Sequence, residues 1–175
     1  MKLFVVRHGQ TNYNLKHLCN DDPKVDVHLT EEGTKQAEII ANKLKDIKFD
    51  AVFISEIPRT RETAEIINKN LKLKVDSRIN DRKTGLEGGT TSDFNEIMKD
   101  DLFNKKINDG ESFQEEKKRV FSFLDELSKL DYKNVLIVSH HETIKIITGY
   151  FKKLNDQEMW DLRINNCMVQ EFDIN

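Results

Sequence analysis

Cysteine is nearly absent: Cys19 and Cys167 are the only two among 175 residues, and they lie far apart. No disulfide framework, zinc motif or redox pair fits that spacing, so both thiols are expected to be reduced. Long apolar runs are missing too. No segment approaches membrane-spanning length, and MKLFVVRHGQ has only four apolar residues after Lys2, too few for a secretory signal. The expected compartment is the cytoplasm, with no membrane partner. Nor is there an excess of positive charge: the net charge is -3, the pI is near 6.0, and no Lys/Arg cluster sits among aromatics. That argues against a nucleic-acid partner. Pro/Ser-rich linkers, repeats and low-complexity tracts are also lacking, and 175 residues suit one domain, 1–175, with a full core. Arginine is scarce, seven against 21 lysines, so a position filled by arginine is a candidate for chemistry that needs a planar, forked cation.

What is present reads as a soluble α/β chain, 34% charged and 37% hydrophobic. Four short apolar runs predict strands: LFVV at 3–6, AVFI at 51–54, VLIV at 135–138, and CMVQEFDI at 167–174. The first three lack polar alternation, which suits strands buried on both faces of a largely parallel sheet. Helical patterns lie between them. In LTEEGTKQAEIIANKLKDI, Thr30 can cap, Glu31 and Glu32 favour the first turn, and Ala37, Ile40, Ala41, Leu44 and Ile47 form one stripe. Pro58 suits the first helical position of PRTRETAEIINKN. Phe113, Val120, Leu124 and Leu127 repeat the helical spacing, and ETIKIITGYF follows the third strand. The alternation predicts a three-layer α/β/α sandwich with a mostly parallel central sheet. The stretch at about 80–111 breaks the rhythm and reads as a partly helical excursion over one end of that sheet.

Side chains just past the carboxyl ends of parallel strands converge on one crevice, where helix N-termini point free N–H groups. After LFVV come Arg7, His8 and Gly9; after AVFI come Ser55, Arg59 and Arg61; after VLIV come Ser139, His140, His141 and Glu142. Two histidines and at least two arginines on one rim outline a phosphate pocket, since a phosphoryl group offers acceptor oxygens that guanidinium forks match in pairs. Gly9, without a side chain, would let backbone N–H groups approach those oxygens. Taken singly, each piece has a plainer account: a satisfied strand-end histidine, a solvated arginine, a surface Glu142. Their joint placement after three strands points to the pocket.

FVVRHGQTNYN resembles the L-x-x-R-H-G-x-T-x-x-N opening of the histidine phosphatase superfamily, also called phosphoglycerate mutase-like, and supplies Arg7, His8, Gly9, Thr11 and Asn14. DVHLTEEGTKQA resembles its D-x-P-L-T-x-x-G-x-x-Q-A segment, with His28 where proline is usual. SEIPRTRETA resembles S-x-L-x-R-A-x-Q-T-A, which singles out Arg59 and leaves Arg61 outside. DGESFQEEKKRV resembles a G-E-S-x-x-E-x-x-x-R-V helix start, and VLIVSHHETI the strand delivering the second histidine, His140.

The resemblance implies a metal-independent phosphomonoesterase for a small phosphorylated metabolite, with no cofactor. His8 would attack phosphorus and become a phosphohistidine while Arg7, Arg59 and His140 hold the equatorial oxygens. The family's acid lies in an E-R-x-x-G-x-L-E-G segment, which INDRKTGLEGG resembles with one residue fewer before Leu86. That makes Asp81 the first choice for the proton donor and Glu87 the reserve. His141 replaces a glycine, either facing the phosphate or turned away. Asp21 and Asp22 in LKHLCNDDP would repel a second anionic group, which makes phosphoglycerate less attractive. An open site, without the mutases' insertion and tail, favours hydrolysis over transfer. Three alternatives remain: a phosphoglycerate mutase-type phosphotransferase, a noncatalytic phosphate or phosphoprotein module, and a metallohydrolase on His140, His141 and Glu142, disfavoured because adjacent histidines rarely share a metal. Oligomeric state is open.

Overall fold

A computed structural model describes residues 1–70 and 72–174. Its sheet has five strands in the order β3-β2-β4-β1-β5: β1 (Lys2–Arg7), β2 (Ala51–Ile54), β3 (Leu73–Val75), β4 (Asn134–Ser139) and β5 (Val169–Asp173). The first four run parallel, and β5 pairs antiparallel with β1. Apolar residues fill every interior position of the central strands because both faces are covered. Leu3, Val5, Ala51, Phe53, Val135 and Ile137 point to one face; Phe4, Val6, Val52, Ile54, Leu136 and Val138 point to the other. A run without alternation is therefore two interleaved core faces.

Helix α2 (Glu31–Leu44) and α3 (Pro58–Ile67) cover the second face. On the first lie α5 (Phe113–Leu127), α6 (His141–Lys152) and α7 (Asp156–Asp161). Thr30 caps α2 as expected, its hydroxyl accepting from Gly33 N, and Pro58 opens α3. The remaining helices are α1 (Asn12–Lys16) and, within the 80–111 excursion, α4 (Thr91–Met98). The excursion has its own apolar nucleus, in which Phe94 and Met98 pack on Cys19 with Leu86, Leu102 and Ile107 around them. It thereby holds the 15–23 loop against one end of the sheet. Both cysteines are free and buried, and among the described residues no helix is long and apolar enough to cross a membrane.

Candidate active site

Parallel register decides what meets at the carboxyl ends of β1, β2 and β4. Arg7 pairs with Ser139 and Ile54 with Val138, so the next residues, His8, His140 and Ser55, emerge side by side. The His8 amide donates to Ser139 O at 3.0 Å, and the two imidazole centroids lie 5.3 Å apart. Arg59 arrives from the first turn of α3, and Asp81 from the loop after a 3-10 turn at Ser77–Ile79.

His8 is buried, and its backbone sets its tautomer. Nδ1 lies 2.8 Å from Gly9 O, which can only accept, so Nδ1 carries the hydrogen; Nε2 accepts from Arg59 Nε at 3.0 Å. Burial, reinforced by Arg59 and Arg7, holds its pKa well below the ordinary histidine value. The ring is neutral, with a lone pair on Nε2.

Arg59 is 4% exposed and spends its fork on both sides of the site: Nη1 donates to Asn20 Oδ1, and Nη2 to Asn20 O at 3.0 Å and Asp81 Oδ2 at 3.2 Å. Arg7 is anchored by Nη1 to Ile164 O at 2.7 Å, while its buried Nε has no partner. His140 is fully buried. Its Nε2 is 2.8 Å from Ser55 Oγ, and its Nδ1, also unpartnered by a hydrogen bond, faces Asp81 Oδ2 at 3.7 Å. Burial, then Arg59 and His8, keep this second imidazole neutral as well. Asp81 Oδ2 thus lies between Arg59 and His140, where an anionic oxygen would lie. Burial raises the Asp81 pKa against the opposing pull of Arg59.

Two helices begin here without a side-chain cap: α3 at Ile57 and α6 at His140. The other five are capped by Thr11, Thr30, Thr90, Ser112 and Asn155. The uncapped starts turn their positive ends toward the site and favour an anion there. A cavity of about 670 Å³ is lined by Arg7, His8, Arg59 and Asp81 together with Tyr13, Phe94 and Trp160.

The other candidates have different employment. The Gly9 N–H donates to Thr63 Oγ1 at 3.1 Å, and a Cβ there would lie 2.5 Å from Gly33 O. Its bareness lets the turn after β1 press on α2. Thr11 and Asn14 form the capping box of α1, with Asn14 N donating to Thr11 Oγ1 at 3.1 Å and Thr11 N to Asn14 Oδ1 at 3.0 Å. Both also border the cavity. Glu87 is taken up by the 20–22 loop, accepting from Asn20 Nδ2 (3.0 Å), Asp21 N (2.8 Å) and Asp22 N (3.0 Å). That leaves Asp81 as the carboxylate beside the imidazoles. His141 faces the cavity wall, its Nδ1 donating to Glu142 Oε1 at 2.8 Å. Arg61 is exposed beside Glu65.

Asp21 and Asp22 do not line the cavity that holds His8, although Asp21 still acts electrostatically on Arg59. Asp21 accepts from Thr84 N and Oγ1 at 2.6 and 2.7 Å, and both acids border a separate cavity on the far side of Asp81. For the metallohydrolase alternative, His140 and His141 turn to different partners, and among the described residues no group of His, Cys, Asp and Glu is placed to hold a metal ion.

Several site residues escaped sequence reasoning. Asn20 holds Arg59, Asn166 Nδ2 donates to His8 O at 3.0 Å, and the Ile164 carbonyl holds Arg7. All three come from loops and carry no local signal. Arg82, 3% exposed, is wedged against the rings of Phe94 and Trp160, with Glu116 Oε2 3.8 Å from its Nε. Arg119 likewise carries no local signal for its contacts.

The profile of the histidine phosphatase superfamily, branch 1, matches residues 3–175, and the chain belongs to that family. A protein of Hydrogenobacter thermophilus, provisionally named phosphoserine phosphatase 2, is 31% identical over 98% of this chain and 88% of its own length. The adenosylcobalamin/alpha-ribazole phosphatase of Escherichia coli is 27% identical over 100% of this chain and 91% of its own. Among solved structures, the alpha-ribazole phosphatase of Shigella flexneri superposes with a TM-score of 0.90 at 27% identity, covering 100% and 91% of the two chains.

Proposed function

We propose that the protein is a metal-independent phosphomonoesterase that hydrolyses a small phosphorylated metabolite through a phosphohistidine on His8. The observation that carries this reading is the His8 tautomer: Nδ1–H is committed to Gly9 O, so Nε2 carries the lone pair, which accepts from Arg59 Nε and is released for attack when a phosphoryl oxygen takes that N–H. A neutral imidazole is the nucleophilic form, and the lowered pKa keeps it so at neutral pH. The two unpartnered donors, Arg7 Nε and His140 Nδ1, together with Arg59, supply N–H groups for the equatorial oxygens. His140 presents hydrogen at Nδ1 when Ser55 Oγ–H donates to its Nε2. These donors are in place before substrate arrives, so charge redistribution on phosphorus meets dipoles already oriented.

Phosphate entry displaces the Asp81 carboxyl from between Arg59 and His140 and turns it to the bridging oxygen. In its protonated form, which burial favours by raising its pKa, it donates to the leaving alkoxide, after which the carboxylate takes a proton from the water that cleaves the phosphoenzyme. The names of the relatives support phosphatase activity on small phosphorylated compounds and leave this chain's own substrate open.

Turnover of para-nitrophenyl phosphate with EDTA present, quenched rapidly, should leave a base-stable, acid-labile phosphoryl label on the protein, absent in His8→Ala. A label persisting in that variant, or turnover that requires added metal, would overturn the reading. Labelling without hydrolysis would favour a mutase-type enzyme.

A further inference from the structure

The segment from Arg78 to Asp81 leaves its 3-10 turn and enters no further helix or strand, yet each of its four backbone carbonyls accepts from a side chain of another element. Arg119, on α5, donates through Nη1 to Arg78 O (2.8 Å) and Asn80 O (2.9 Å) and through Nη2 to Asp81 O (3.3 Å). Ser139 Oγ, at the end of β4, donates to Ile79 O at 2.8 Å, and Thr143 Oγ1, on α6, to Asn80 O at 2.9 Å. Arg119 is itself fixed by a bidentate pair with Glu111, Nε to Oε1 at 2.7 Å and Nη2 to Oε2 at 2.8 Å. One guanidinium therefore reaches three carbonyls and is aimed by one carboxylate. Lysine, with its protons on a single atom, cannot span them.

We propose that Arg119, oriented by Glu111, is a positioning residue for the proton donor: it holds the backbone at Asp81 so that only the side chain moves between the phosphate pit and the leaving oxygen. The inference rests on the reading of Asp81 as that donor. Arg119 borders the cavity on the far side of Asp81 and not the one that opens from His8, so it acts without touching the phosphoryl group. Ser139 and Thr143 flank His140 in sequence, which stitches the same segment to the strand and helix that carry the second imidazole. The position of Asp81 relative to His140 is thus set by side chains from three elements. In a segment without a regular hydrogen-bond ladder, such side-chain ties to the backbone, beside the buried Ile79 and the bonds between Asn80 and Glu56, hold the carboxyl to the precision that proton transfer to a leaving group requires.

The test compares two esters. Para-nitrophenolate leaves with little protonation, whereas the alkoxide of glycerol 2-phosphate needs a proton. In Arg119→Lys, kcat/KM for glycerol 2-phosphate should fall at least tenfold and that for para-nitrophenyl phosphate less than threefold. In Arg119→Lys/Asp81→Asn the alkyl ester should be hydrolysed no more slowly than in Asp81→Asn alone, because both changes act through one acid. Equal loss on both esters, or losses that multiply in the double variant, would overturn the proposal and leave Arg119 a stabilising residue. Should Arg119→Lys fail to fold, Glu111→Gln keeps the arginine but loosens its aim and should still split the two esters at least threefold; no split there overturns the proposal equally. If Asp81→Asn itself slows both esters alike, the donor assignment fails and the positioning role with it, while the label on His8 is unaffected.

Discussion

Arg59→Lys separates charge from geometry at the centre of the site. The substitution keeps one positive charge at a position only 4% exposed, but replaces a planar fork that engages His8 Nε2, Asn20 Oδ1, Asn20 O and Asp81 Oδ2 by one ammonium. An ammonium can reach the phosphoryl group or Asn20, not both at once. Losing one preorganised donor to a developing oxyanion costs about 3–4 kcal/mol, so kcat for para-nitrophenyl phosphate should fall about 10²–10³-fold. Stability should fall less: a buried acceptor on Asn20 loses its partner at about 1–3 kcal/mol, which for a chain of this size lowers Tm by roughly 2–4 °C per kcal/mol. Single-turnover labelling locates the defect, because phosphoenzyme formation should slow by the same factor as kcat. Arg61→Lys is the control, exposed beside Glu65 on the outer side of the same helix, and should leave both rate and Tm unchanged. A folded Arg59→Lys enzyme within fivefold of wild type would refute the claim that a guanidinium fork holds the transferring group.

Three further outcomes follow from particular contacts. With the His8 pKa held far below its ordinary value by burial and the Asp81 pKa raised by burial, alkyl phosphate hydrolysis should hold at mildly acidic pH and decline as pH rises through the raised Asp81 value; a rate profile of Asp81→Asn that retains this alkaline decline would contradict the assignment. His28 bridges Glu62 and Asp26, whose hydrogen bonds raise its pKa, so its stabilising tie is complete below the ordinary histidine pKa and disappears as pH climbs through the raised one. His28→Ala should therefore lower Tm slightly at pH 5.5 and not at pH 9, and equal differences at both would rule out an ionic tie. In Gly33→Ala the new Cβ would meet Gln10 O at 2.1 Å, backbone that cannot turn aside; a loss of about 3 kcal/mol, or roughly 6–12 °C in Tm, is expected, and a melt within 2 °C of wild type would show that the turn after β1 yields freely.

The fold was legible wherever burial imposes a pattern. LFVV, AVFI and VLIV announced themselves because both sides of each strand are core, and Thr30 and Pro58 because helix starts need oxygen caps or tolerate a missing N–H. Leu73–Val75 was not legible: three residues at the sheet edge, all at least partly exposed and with Lys74 between the two apolar ones, bury too little to force alternation. Helices of five and six residues, α1 and α7, are shorter than the two turns needed to display a stripe. At the site, Arg7, His8, Ser55 and His140 could be read because parallel strands bring their carboxyl ends together. Asn20, Ile164 and Asn166 could not, since loop closure brings them there and sequence spacing does not encode it. At Gly9 the sequence reveals a position without a side chain, not the Gly33 carbonyl it presses against.

The two uncapped helices connect stability to function. A side-chain cap is worth about 1 kcal/mol, and five helices take it while α3 and α6 do not. At the start of α6 the cap position is occupied by His140, whose ring turns to Ser55 instead of back onto its own helix. At the start of α3 the cap is Ile57, fully in the core, followed by Pro58 and then Arg59. At α6 the cap position itself delivers an imidazole, and at α3 the first turn after an uncapped start delivers the Arg59 guanidinium to the same site. Among the described residues, six buried side-chain polar atoms lack a hydrogen-bond partner, and two of them, Arg7 Nε and His140 Nδ1, are at that same point. Unsatisfied donors, helix starts without caps and buried guanidinium groups are each unfavourable to folding, and a core selected for stability alone would scatter or remove them. Where they meet beside His8 the proposed function supplies a remedy: a phosphoryl group bonded to His8 Nε2 would offer acceptor oxygens to Arg7 Nε, His140 Nδ1 and Arg59.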